Sequence, residues 1–105
     1  MVIRQFDVCR NSDKRSRKYA PYFVVLQADI LDVLDTVVVA PALPDRLPFM
    51  IGRLNPVIVI DGNRYFVNLQ ELAALPRTRL SDVACSVKHQ RADFVNAIDL
   101  LFTGI

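Results

Sequence analysis

Glycine is scarce. The 105 residues contain three, at 52, 62 and 104, too scattered to build a Gly-rich phosphate loop. There is no tryptophan, and two cysteines with a single histidine cannot supply the four clustered ligands of a structural zinc site. No nucleophile elbow occurs, and no internal repeat or low-complexity segment is present. No apolar stretch is long enough to span a bilayer. The opening Met1-Val2-Ile3-Arg4-Gln5 holds no apolar run of signal length. Cys9 and Cys85, which could in principle pair, are therefore expected to be reduced thiols of a cytoplasmic chain. Cys85 reads as a small buried hydrophobe and lone His89 as a surface or capping residue. The carboxylates of Asp29 and Asp32 read as flanks of a turn, since a catalytic pair needs a cleft to shift its pKa values.

What is abundant is aliphatic side chain. Hydrophobic residues make up 52%, which excludes disorder as the main state. A chain of this length forms one domain, residues 1–105, and buries roughly 65% of its unfolded surface without needing disulfides or metals. The apolar share is high for so small a monomer, and dimerisation would bury the surplus. The formal net charge of +2 is unevenly spread. Residues 8–21 carry Arg10, Lys14, Arg15, Arg17 and Lys18 against Asp13 alone. Such a loop is first a solvated connection and second a contact for an acidic protein segment. Nucleic acid comes third, because no aromatic residues are interleaved for stacking.

Alternation over residues 2–9 predicts a half-buried first strand. Residues 22–27 read as a second strand, 29–32 as a turn or bulge, and 36–40 as a third strand. Prolines 41, 44 and 48 are expected to keep the chain extended and out of central-ladder positions. The clearest local signal is Asp61-Gly62-Asn63 between the β-rich runs 56–60 and 64–67, a hairpin whose turn demands positive φ. Asn68 and Glu71 have the spacing of a helix start that Pro76 ends within a turn or two. Residues 77–80 are expected to return as a short strand. A final helix is predicted from about residues 86–89. Its stripe is Phe94, Ala97, Ile98, Leu101 and Ile105, widened by Val95 and Phe102, with Gly104 at the capping position. It runs to the last residue without a polar tail, so that end must be buried in the fold, buried between subunits, or kept for a partner. The class is mainly β: a β-rich α+β fold, an antiparallel barrel or sheet carrying one C-terminal helix.

Several segments, read in order, resemble the CcdB family of toxins: Tyr22-Phe23-Val24 with Gln27-Ala28-Asp29-Ile30-Leu31-Asp32, then Pro56-Val57-Ile58-Val59-Ile60, and above all the ending Asn96-Ala97-Ile98-Asp99-Leu100-Leu101-Phe102-Thr103-Gly104-Ile105. The resemblance covers essentially the whole chain. It implies an SH3-like barrel, dimerised with its helix ends near the twofold axis. It further implies a non-enzymatic, cofactor-free toxin that binds the dimerisation domain of the gyrase A subunit, traps that enzyme on cleaved DNA, and is neutralised by a labile antitoxin with a disordered tail. The family's gyrase-contacting positions fall on Ile30, Leu31, Asp99, Phe102, Thr103, Gly104 and Ile105. The family's plasmid member carries Trp where Thr103 stands here, and Asn in place of Asp99. An acidic antitoxin tail would find Arg10, Lys14, Arg15, Arg17 and Lys18. Two other functions fit the barrel: an endoribonuclease, and a folded homologue that binds antitoxin without toxicity.

Overall fold

The computed structural model describes residues 2–45 and 52–104. The described chain forms seven strands and one helix. The strands are β1 (Asp7–Arg10), β2 (Tyr22–Val25), β3 (Thr36–Pro44), β4 (Val57–Ile60), β5 (Asn63–Val67), β6 (Ala73–Pro76) and β7 (Val83–Ser86), and the helix is α1 (Arg91–Thr103). All pairings are antiparallel, in the order β4-β5-β3-β2-β1-β7, with β6 joined to the first half of β3. The sheet curls into a half-barrel, the β-rich fold expected from the strand-then-helix pattern.

Each sheet face has its own core. On the helix side Phe6, Val8, Val24, Ala40, Ala42, Ile58, Val67 and Leu69 pack with Phe94 and Ala97 of α1. On the outer face Cys9, Val25, Val37 and Val39 are covered by Ile3 and Leu80. The alternation along β3, with Val37 and Val39 outward and Ala40 and Ala42 under the helix, is the period-2 rule in place. The same rule separates the thiols. Cys9 faces the outer cluster and Cys85 the helix side, half-buried rather than fully buried. Burial, with Asp7 and Asp82 adding to it, pushes the Cys9 thiol up to about 11.

The hairpin is as expected. Ile60 pairs with Asn63, and Asp61 and Gly62 take φ of 51° and 79°, the two positive values of a type I′ turn. Other expectations are corrected. The first strand begins at Asp7, not Val2, because residues 4–7 form a tight turn (Asp7 N–H to the Arg4 carbonyl, 3.0 Å) with Phe6 at φ 67°. That unusual backbone throws the Phe6 ring under the helix, 5.4 Å from Phe94. Pro41 does lie in a central strand, opposite Phe23 of β2. It is tolerated because its carbonyl side faces away from β2, where the neighbour of β3 changes from β6 to β5; there the carbonyl accepts the Asn68 N–H at 2.8 Å. Pro44 ends β3, and Pro48 lies outside the described residues. Residues 77–79 make a single 3-10 turn rather than a strand; the strands are β6 before it and β7 after it. Asn68 heads one 3-10 turn, Leu69–Glu71, without capping it; its side-chain amide donates to the Glu71 carboxylate instead.

Helix α1 starts later than its pattern suggests. A 3-10 turn at Lys88–Gln90, whose first N–H is taken by the Ser86 hydroxyl, precedes it. Exposed His89 lies on that turn. Gln90 ties the junction to the sheet by donating its side-chain amide to the Val57 carbonyl at 2.8 Å.

Candidate functional surface

The last turn of α1 is built for exposure. Phe94 and Ala97 are buried and Ile98 and Leu101 half-buried, so the stripe engages the core through Leu101 and then leaves it. Phe102 is off that stripe and 66% exposed. Of the three fates open to this end, burial within its own chain is excluded for Phe102. Gly104 caps the helix in the left-handed region (φ 75°), its N–H shared between the carbonyls of Asp99 and Leu100 at 3.2 and 3.1 Å, a conformation glycine adopts without steric cost. Thr103 turns its hydroxyl back onto the Asp99 carbonyl at 2.7 Å. That bond satisfies the helix and occupies the hydroxyl's donor. Asp99, Phe102, Thr103 and Gly104 are thus brought together on one exposed turn; Ile105 lies outside the described residues.

Ile30 and Leu31 stand on a separate element, a 3-10 turn at Asp29–Leu31, and both are exposed. The Asp29 carboxylate accepts the Gln5 N–H at 2.7 Å, and the Gln5 side chain accepts from Arg91 in the first turn of α1. From Arg91 to Phe102 the helix rises about 16 Å. Asp29 and Asp32 are both exposed on this turn and flank one small depression beside Gln27 and Arg77.

The basic loop is ordered by its own polar groups. The buried Asn11 amide donates to the Ala20 carbonyl (2.8 Å) and the Ser16 hydroxyl (2.9 Å). Asp13 accepts from the Arg15 N–H and the Ser16 hydroxyl, both at 3.0 Å. This leaves Lys14, Arg15, Arg17 and Lys18 exposed on a defined frame, while Arg10 pairs with Asp82 at 2.8 Å. Arg79, close enough to act on the Asp13 charge, joins the cationic face from the 77–79 turn. Its influence comes from 66 positions away along the chain, which no local pattern announces.

The Arg15 N–H bond, then the Ser16 hydroxyl, holds the Asp13 carboxyl below its ordinary 3.8. A lowered folded-state pKa gives order that is present above the unfolded value and lost as pH falls through the folded one. The Arg15 amide should accordingly be protected from hydrogen exchange near about pH 5 and lose that protection below the ordinary carboxyl range. Asp13→Ala should abolish the protection throughout. Protection independent of pH would show that the carboxylate does not order the loop.

Residues 5–104 match the family described as CcdB protein. That span is nearly the whole chain and takes in the basic loop, the turn at Asp29 and the helix end alike. The chain belongs to the CcdB family. As a CcdB-family member it is a toxin of a toxin–antitoxin module. The strand order and the terminal helix agree with the fold that its resembling segments implied. Among the described residues no helix is long and apolar enough to cross a membrane.

Proposed function

We propose that this CcdB-family toxin binds the dimerisation domain of the gyrase A subunit as a homodimer and traps the gyrase–DNA cleavage complex. It would do so as a binding protein, without catalysis or cofactor. The observation carrying this reading is the capped last turn of α1, which presents Phe102 to solvent beside Asp99 at the end of a chain matched by the family almost throughout. A twofold target calls for a twofold ligand, and two such turns meeting at an axis make one self-matching patch. Ile30 and Leu31 would widen it, and Ile105 would complete its end. Purified protein, gyrase and supercoiled DNA should yield gyrase-dependent double-strand cleavage. No cleavage at high excess of intact dimer would reject the proposal, and RNA degradation without a gyrase effect would favour a nuclease.

Thr103 sets the strength of that contact. With its hydroxyl returned to the helix, it offers a target arginine neither a ring nor a free donor. Thr103→Trp should strengthen gyrase binding by up to about thirtyfold through cation–π stacking. Equal or weaker binding would mean that the exposed turn meets its target by another route.

The antitoxin is assigned to the cationic face, where an acidic disordered tail would meet Lys14, Arg15, Arg17 and Lys18 on their ordered frame, with Arg10 at its edge. Arg15→Glu combined with Arg17→Glu should weaken tail binding about tenfold or more at low salt, chiefly in the on-rate. Affinity unchanged by both the substitutions and added salt would remove the loop from the antitoxin site.

A further inference from the structure

Residues 29–35 read Asp-Ile-Leu-Asp-Val-Leu-Asp, a strict repeat of three. The 3-10 turn Asp29–Leu31 continues into a following turn of the same spacing: the Leu31, Asp32 and Leu34 N–H groups donate to the carbonyls of Ala28, Asp29 and Leu31 at 3.0–3.1 Å. In such 3-10 winding residues three apart eclipse one another, and exposure follows suit. Ile30 and Val33 are 85% and 82% exposed, Leu31 and Leu34 43% and 45%. Three parallel ridges result: one fully exposed and apolar, one half-exposed and apolar, and one of exposed carboxylates. The segment is held in place from both ends. Gln27 donates its side-chain amide to the Leu31 and Thr36 carbonyls, and Arg77 donates its Nε to the Leu34 carbonyl and its N–H to the Asp35 carbonyl.

Four exposed aliphatic side chains side by side are rare on a lone soluble surface. The charge beside them says what covers them. Asp29 lies at the basic end of the segment, with Arg4, Lys88 and Arg91 around the same depression. Asp32 and Asp35 instead share one nearby cation, Arg77, and the ion pairs among the described residues, Arg10–Asp82 and Arg64–Asp45, use neither of them. Two copies of this face would bring like charges together. We infer that the ridges of residues 29–35 dock a cationic amphipathic segment of the partner, its aliphatic side chains against Ile30 and Val33 and its Lys or Arg residues on Asp32 and Asp35. This rests on the proposed target surface for Ile30 and Leu31. It adds Val33, Leu34 and the acid ridge, and it names the chemistry that the partner must bring.

A synthetic Lys/Leu amphipathic helix peptide and its Glu/Leu counterpart serve as probes, titrated into the full-length protein and followed by amide chemical shifts. The whole chain is net positive, so binding of the cationic peptide requires a local acidic site. The expected result is saturable binding of the Lys/Leu peptide with shifts confined to residues 27–38 and 77, and none for the Glu/Leu peptide. Val33→Ser should weaken that binding about tenfold, and Asp32→Asn with Asp35→Asn about fivefold or more. All these positions are exposed, so the variants should fold as the parent does. No binding, equal binding of the two peptides, or indifference to the substitutions would overturn the inference. A Val33→Ser variant that fell from dimer to monomer would overturn it too, by assigning the ridge to a second copy. The same variants in the gyrase cleavage assay separate the two claims. A parent protein that binds the peptide but cleaves nothing with gyrase refutes the target, not the ridge chemistry.

Discussion

Phe94→Ala is expected to cost about 3–5 kcal/mol of folding stability, the largest loss from any single side chain of the helix. Phe94 is completely buried and its ring lies against Phe6. Phe6 cannot follow a retreating neighbour. Its backbone is in the left-handed region, its N–H is bonded to the Val25 carbonyl at 2.7 Å, and its own carbonyl accepts the Val87 N–H at 2.8 Å. A hole beside a side chain fixed so firmly relaxes little, and unrelaxed cavities lie at the costly end of the range. Small domains are stable by about 5–15 kcal/mol in all, so the helix should detach or the whole chain unfold near body temperature. Urea titration followed by circular dichroism, at matched protein concentration because an oligomer's midpoint depends on it, makes the measurement. Val95→Ala, at a half-buried site on the same helix, is the control and should cost about 1 kcal/mol. Equal losses for the two would mean that the Phe6–Phe94 contact does not organise the helix.

Phe102→Ala should behave in the opposite way. The ring is mostly in solvent, so folding stability should move by no more than about 0.5 kcal/mol. Gyrase-dependent cleavage should nonetheless fall about thirtyfold, the effect of losing an aromatic anchor at the centre of an interface. Cleavage yield and urea midpoint, measured on the same preparation, discriminate sharply. Unchanged cleavage would dismiss Phe102 as an anchor. Loss of cleavage accompanied by dissociation to monomers would place the ring between subunits instead. The two phenylalanines are eight positions apart on one helix, and burial assigns the first to the fold and leaves the second free for the proposed target.

How much of this was legible in the sequence depended on how local each cause was. The hairpin was, because Asp61-Gly62 supplies its two positive φ angles within adjacent residues. The Gly104 cap was as well, for the same reason. The start of β1 was not. Phe6 adopts a backbone that no propensity assigns to phenylalanine, and it is rewarded only by a helix almost ninety residues later. Prolines were read as strand breakers, whereas Pro41 falls where β3 exchanges neighbours. At the surface, the residue types on the basic loop were visible but Arg79 was not, since it arrives from elsewhere in the chain. Residues 29–32 were recognisable as a turn or bulge. The exposure of Ile30, Val33, Leu31 and Leu34 was not, because aliphatic side chains ordinarily signal burial.

The partner exchange along β3 has a consequence for how this sequence can vary in length. Its nine residues belong to three ladders at once, and its two faces feed two different cores. Deleting one residue between Val39 and Ala42 would invert the facing of everything on one side of the cut. On the side of the cut before Ala40, for example, Val37 and Val39 would be carried from the outer cluster to the helix side, and Val38 the other way. Insertions and deletions should therefore accumulate in the segments between strands, while the length of β3 is held constant from one descendant to the next.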